Sequence, residues 1–334
     1  MLILSKHIIY TVEYETNSVL LQLKEMSDNK NKIKTNNKLI GIAFALLATA
    51  LWSGNFVVAR GWSDSIHPFS LAFYRWLVAV LVFTPFAWRA VKRDWKAIRL
   101  HLPYVSLTAL LGVSTFNTLI YFAGRSTTAI NLSLIALTFP IFILILSSLF
   151  FKEKITLKKV FGILIVLIGV LTIISQGQIS SLLQFSFHPG DPLMLLAAFT
   201  FSIHSMLLKR KPAEISVISL QYMTFLIGLL MLLPFFLVNK SLQTESEIIS
   251  MPILGSILYI GICASLISFV SWNKAIEKIG TPAAGMIYFL LPLFSGITAW
   301  VFLGEHLHVY HIISAFFIVF GIVISTRTGG NTGN

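Results

Sequence analysis

Long apolar runs separated by short polar connectors dominate the chain. A helix that crosses a membrane needs about 20 mainly apolar residues, with a range of ~17–25. Ten runs meet that requirement: 38–59, 69–88, 103–123, 128–150, 157–175, 192–208, 216–238, 252–272, 281–303 and 309–326. The pattern predicts an all-α integral membrane protein with ten transmembrane helices. The longest connector, 176–191, leaves no room for a soluble domain between spans. Residues 1–37 are polar and Asn/Lys-rich, as in Asn29-Lys30-Asn31-Lys32, and read as a disordered cytoplasmic tail. Residues 1–25 hold no spanning run and no signal-peptide core with a cleavage site. Met26 opens a basic lead-in to the first span, which leaves a mis-assigned start open as a reading of residues 1–25. Residues 327–334 form a short cytoplasmic C-terminal tail.

Composition agrees with the runs. Hydrophobic residues make up 56% of the chain and charged residues 11%. Soluble domains carry about 25% charged residues, so a soluble globule is excluded, and so is a disordered chain. The net charge is +12, but the basic residues sit between apolar runs, which points to a lipid bilayer and not to nucleic acid. With the N-terminus in the cytoplasm, 21 of the 25 Lys and Arg lie on the cytoplasmic side. Three (Arg60, Arg125, Lys240) lie outside, and Arg75 is inside a span. Basic residues favour the cytoplasmic face, so both termini are expected inside, in a multi-pass protein of a bacterial inner membrane. The single cysteine, Cys263, permits no internal disulfide and no Cys-based metal cage.

The chain also repeats itself. An offset of 149 aligns Ser53 with Ser202, Pro85-Phe86 with Pro234-Phe235, Pro103 with Pro252, and Gly112 with Gly261. An offset of 152 then aligns Pro140 with Pro292, Phe150 with Phe302, Glu153 with Glu305, and Gly169 with Gly321. The halves, 38–175 and 192–326, hold five spans each. Five is odd, so the second half enters the membrane from the opposite face, the inverted arrangement of secondary transporters.

Proline marks the middle of two matching spans. Pro140 and Pro292 leave the carbonyls of Ala136 and Tyr288 without their helical donor. Such paired interruptions point to a transport site, although simple kinks for packing are the alternative. Polar and aromatic positions could line a cavity there: Trp52, Ser53 and Asn55 in span 1, and Ser202 and His204 in span 6. Span 3 places Ser114, Asn117 and Tyr121 on one stripe, and span 8 places Ser265, Ser268 and Trp272 on another. Gln221, Asn131 and Thr138 complete the set. For Ser and Thr, bonding to their own helix is the competing and favoured reading. For Asn55, Asn117 and His204, cavity lining and packing stand level.

Arg75 has two readings. It could clamp a solute carboxylate, or it could snorkel and bond carbonyls, the structural role favoured near a span end. All Asp and Glu lie in the tail, in loops or at span ends. Proton coupling would therefore run through His204, or transport would be facilitated exchange. Glu153 and Glu305 are repeat mates that could act as gates, with a helix-dipole role preferred. His306 and His308 beside Glu305 read as solvated loop residues, so neither a metal site nor a cofactor is expected. Gly162, Gly169 and Gly321 suit close helix packing, either scaffolding the halves or forming a homodimer through spans 5 and 10.

Leu51-Trp52-Ser53-Gly54-Asn55-Phe56, Tyr74-Arg75-Trp76, the prolines Pro140 and Pro292, and Phe151-Lys152-Glu153 with Leu303-Gly304-Glu305 resemble the drug/metabolite transporter superfamily, specifically its ten-span EamA-type branch. That resemblance implies two inverted five-helix EamA repeats around a central cavity and export of amino acids or related metabolites. It places Trp52, Asn55, Arg75, Pro140 and Pro292 on family motif positions. The second half departs from the motif, with Phe201 and His204 for Trp52 and Asn55, and Thr224 for Arg75. The expected function is a carrier of a small polar metabolite, by alternating access. Exchange of another class, such as a nucleotide derivative or an amphipathic drug, is the alternative. An enzyme lacks a catalytic constellation here, and a channel needs no inverted repeat.

Overall fold

Helix follows helix through the residues that this computed structural model describes, which are 35–127, 129–153, 155–175, 188–242, 249–295, 297 and 309–326. No strand occurs among them. The first half contains α1 (Thr35–Gly61), α2 (Pro68–Leu100), α3 (Leu102–Gly124), α4 (Ala129–Ala136), α5 (Phe139–Phe151) and α6 (Leu157–Ile174). The second contains α7 (Asp191–Lys209), α8 (Val217–Leu242), α9 (Met251–Ile279) and α10 (Thr281–Tyr288), then helical residues 291–295 and α11 (Val309–Thr326). Six of these, α1, α2, α3, α7, α8 and α9, are long and apolar enough to cross a membrane.

Two expected connectors are helix instead. Residues 89–100 continue α2, and 273–279 continue α9. Neither stretch contains Gly or Pro, and Lys, Arg, Ala and Glu are good helix formers. Gly280 stops α9 with a positive φ of 79°, a backbone region that glycine enters without steric penalty.

The two proline spans are broken rather than bent. A turn at Leu137–Thr138 separates α4 from α5, and a turn at Phe289–Leu290 separates α10 from the helix that starts at Leu291. These turns are repeat mates, and Leu137 and Phe289 insert into one apolar cluster with Val166, Val170, Met286 and Ile318. The cluster couples both breaks to α6 and α11. Those two helices pack backbone to backbone, since a Cβ on Gly162 would lie 2.7 Å from the Gly321 carbonyl oxygen. Ser314 on α11 also donates to the carbonyl of Gly169 at 2.7 Å. The small-residue faces of spans 5 and 10 thus pack against each other within one chain.

Spans 3 and 8 share a second irregularity. Each contains a π-helical stretch, Leu110–Thr115 in α3 and Tyr259–Ile267 in α9. Leu110 and Tyr259 are repeat mates under the 149 offset. Wide turns of this kind interrupt the i→i−4 ladder and often mark functional sites.

Contacts at the two ends show the helix senses. One end holds Asn37 with Lys278, Glu153 with Lys209, and Tyr104 with the Leu207 carbonyl. The other holds Arg60 with the Gly124 carbonyl, Trp62 with Ser256, and Thr127 with Asp191. Helix α1 therefore runs from the first end to the second, and its counterpart α7 runs back.

Candidate functional site

The halves meet on aromatic rings. Trp52 and its mate Phe201 pack edge to face with centroids 5.4 Å apart, and Trp76 lies 4.7 Å from its mate Phe225. Around the first pair stand Phe116, stacked on Phe201 at 4.2 Å, and Phe139, Phe269, Trp272 and Tyr288. The sequence pattern marks Trp52, its mate Phe201, Trp272 and Tyr288, whereas Phe116, Phe139 and Phe269 carry no separate signal, each being an apolar ring inside an apolar run.

Beside this wall Arg75 is wholly buried. Its Nη1 donates to Asn55 Oδ1 at 2.7 Å and to Tyr121 Oη at 2.9 Å, its Nη2 donates to the Ala264 carbonyl at 2.9 Å, and its Nε donates to Ser265 Oγ. The Tyr121 hydroxyl also donates to Asn55 Oδ1 at 3.3 Å. Arg75 thus faces the bundle interior and does not snorkel, although one of its partners is a carbonyl, as the structural reading expected. The π-helical stretch prepares that carbonyl. The Ser268 N–H bonds Cys263 and Ser265 and skips Ala264, whose oxygen accepts from Arg75 and from Trp52 Nε1 at 2.9 Å. Trp52, Asn55, Arg75 and Tyr121 therefore form one network with α9, a link between the halves.

Every partner of Arg75 is neutral, and no carboxylate pairs with it among the described residues. A buried cation is stabilised by an opposite charge and is costly without one. One turn below Tyr121, Asn117 is fully buried, and neither its Oδ1 nor its Nδ2 has a partner. Native interiors leave few such groups unpaired, and each calls for a water, an ion or a ligand.

The second half builds a different polar group. His204, the mate of Asn55, stacks on Phe201 at 5.4 Å and lies against Gly112, where a side chain would collide with its ring. Its Nδ1 is 3.0 Å from the Thr108 carbonyl, which can only accept, so Nδ1 carries the proton and the buried Nε2 is left without a partner. Trp272 donates to Ser205 Oγ at 3.2 Å. Gln221 bonds Asn273 and Thr224, and Asn273 borders a cavity of about 370 Å³ with Lys209, Lys211 and Glu277 at the end that holds Lys278. Asn273 was not expected from sequence, since it falls in a stretch read as a connector.

Other expected residues bond their own surroundings. Ser53 donates to the Ala50 carbonyl, Thr138 to Ile135, Ser268 to Cys263, and Ser202 to Ala198 and to the Phe139 carbonyl beside the break. Pro140 is buried next to that break, and Pro292 is half-buried. Asn131 lies in α4, its side chain outside the described residues. Glu153 pairs with Lys209, whose Nζ stands 4.2 Å from the Phe151 ring, so this carboxylate ties α5 to α7. Glu305 lies outside the described residues. No cluster of three metal-ligating side chains occurs among the described residues.

Comparison with known proteins follows the same two halves. Residues 39–175 and 188–327 each match the EamA-like transporter family. A protein of Archaeoglobus fulgidus named "Uncharacterized transporter" is 25% identical over 282 residues, 84% of this chain and 95% of that one. "Uncharacterized transporter YdfC" of Bacillus subtilis is 28% identical over 262 residues, 78% of this chain and 82% of that one. A solved structure described only as a crystal structure of a protein superposes with a TM-score of 0.69 at 18% identity, covering 88% of this chain and 97% of that one, and so shares the fold.

Proposed function

The chain belongs to the EamA-like transporter family, and from that premise we propose that it exports a small polar metabolite, an amino acid or a derivative, across a bacterial inner membrane. Ten crossings in two oppositely oriented sets of five carry it there, with both termini in the cytoplasm. The halves alternate, opening the central site to one side and then to the other.

The observation that supports this reading most is Arg75. A buried guanidinium held by neutral partners offers a solute carboxylate what the described residues do not supply. Asn117, with both amide atoms unpaired, gives the rest of the solute a donor and an acceptor, and Trp52, Trp272 and Tyr288 provide ring faces and edges. Solute binding would draw Arg75 from Asn55, Tyr121 or Ala264. Because Ala264 lies in the second half and Asn55 in the first, that exchange of partners alters how the halves are joined. This is how occupancy would bias the equilibrium between outward- and inward-open forms.

The same guanidinium would accept a phosphate, and indole rings suit a nucleobase, so exchange of a nucleotide derivative is the second reading. Untargeted profiling of medium from cells that overexpress or lack the protein separates the two. A solute that rises in one strain and falls in the other identifies the class and the direction. If no solute changes, export is refuted.

A further inference from the structure

Helix α2 is much longer than a crossing requires. At 1.5 Å per residue, its 33 residues reach about 50 Å, against about 30 Å of hydrocarbon. The excess is the stretch 89–100, which has two distinct faces. Val91, Asp94 and Ile98 are buried against the protein. Arg89, Lys92, Arg93, Lys96 and Arg99 are exposed on the other side, with Trp88 and Trp95 at 62% and 48% exposure among them.

Several other cations at this end of the molecule have partners, while exposed Lys38, Lys152 and Lys158 have none among the described residues. Lys209 pairs with Glu153, Arg210 and Lys211 bond carbonyls, Lys278 bonds Asn37, and Lys274 lies over the Phe44 ring. On α2, Arg93 pairs with Asp94, whereas Arg89, Lys92, Lys96 and Arg99 have no hydrogen bond or ion pair in the described residues. Four unpaired cations are thus concentrated on three turns of a rigid helix.

We propose that this face binds the phosphates of anionic glycerophospholipids. Three features favour lipid over an acidic protein. The face continues the outer, apolar side of the same helix, where Leu81 and Phe86 are 63% and 73% exposed, so an acyl chain and its headgroup can follow one surface. Trp88 and Trp95 are the ring type that settles at the headgroup layer. Long Lys and Arg side chains reach back along a helix to phosphates while their stems cover apolar surface. The bound lipid would also touch the back of a joint between the halves. Asp94 accepts from the Ser216 N–H at 2.9 Å and from Ser219 Oγ at 2.7 Å, at the start of α8.

The test uses full-length protein, delipidated and re-equilibrated with phosphatidylglycerol and phosphatidylcholine in equal amounts, with retained lipid counted by native mass spectrometry. The wild type should keep phosphatidylglycerol preferentially, and less of it as salt rises. Each neutralised cation should weaken retention about fivefold, so the combination Lys92→Gln, Lys96→Gln and Arg99→Gln should abolish the preference. The control pair Lys152→Gln and Lys158→Gln, exposed charges outside α2, should retain it. Equal retention of both lipids, or equal loss in the triple variant and in the control, overturns the proposal. So does a face that binds soluble polyglutamate yet shows no lipid preference, which would assign it to an acidic protein. A circular-dichroism melt of each variant confirms folding.

Discussion

Arg75 and Ala264 join the halves through one hydrogen bond, 2.9 Å from the guanidinium of α2 to a carbonyl that the π-helical stretch of α9 has released. Trp52 donates to the same oxygen from α1. A change in what Arg75 holds is therefore felt by both repeats. Hydrogen bonds to charged groups contribute about 1.5–3 kcal/mol each, and a lysine has three donors without the planar fork. Arg75→Lys is expected to fold and to lose solute affinity roughly ten- to a hundredfold, measured by binding in proteoliposomes. Arg60→Ala, which removes bonds to Ser63 and the Gly124 carbonyl where α1 ends, should stay within about twofold. Equal effects would remove Arg75 from the site.

The contact of α6 with α11 should tolerate no added methyl. A Cβ on Gly321 would meet the Gly162 carbonyl oxygen at 2.5 Å and Val166 at 2.7 Å, with backbone on one side that cannot move aside. Gly321→Ala should cost about 1–3 kcal/mol and lower the melting temperature in a thermal unfolding assay. Gly255→Ala, where nothing lies within 4 Å, should be neutral or slightly stabilising.

Asp94 gives the joint at the end of α2 a pH signature. Burial opposes its ionisation, but hydrogen bonds from Arg93, from the Ser216 hydroxyl and N–H and from Ser219 outweigh that, so the carboxyl stays ionised well below the usual carboxylate range. Its folded-state affinity for protons is thus lower than in the unfolded chain. The stabilisation is fully present above about pH 4, the ordinary carboxylate value, and fades as acid approaches the depressed one. Melting curves of wild type and Asp94→Asn should be offset by a constant amount from neutral pH to about pH 5 and converge in stronger acid. A gap that widens in acid contradicts the assignment.

The ion pair of Glu153 with Lys209 should matter little for stability. Both side chains are about a third exposed, and such pairs contribute about 0–1 kcal/mol. A double-mutant cycle with Glu153→Gln and Lys209→Gln should give a coupling below about 1 kcal/mol.

Much of this architecture could be read from the residues alone. The repeat register placed Pro140 opposite Pro292, and both spans break at the matched turns before them. Arg75, Asn55 and Tyr121 stood out because charge and amide are rare in apolar runs, and they do converge. The π-helical stretches were not legible, since their sequences, such as Leu110-Leu111-Gly112-Val113-Ser114-Thr115, are ordinary for a membrane helix. The Ala264 carbonyl could not be found for the same reason, because a main-chain oxygen has no residue type. Ser53 and Ser268 resolved as hydroxyls bonded within their own helices, and Thr138, in the turn after α4, bonds back to Ile135, the outcome that short side-chain reach favours.

The most direct test is a single cysteine at Asn117, in a chain carrying Cys263→Ser, probed with a membrane-impermeant thiol reagent. If the halves alternate, Cys at this position should react from one side of a sealed vesicle at a time, and the reactive side should switch when solute is supplied. Simultaneous reaction from both sides, or reaction from one side only under every solute gradient, would contradict alternating access.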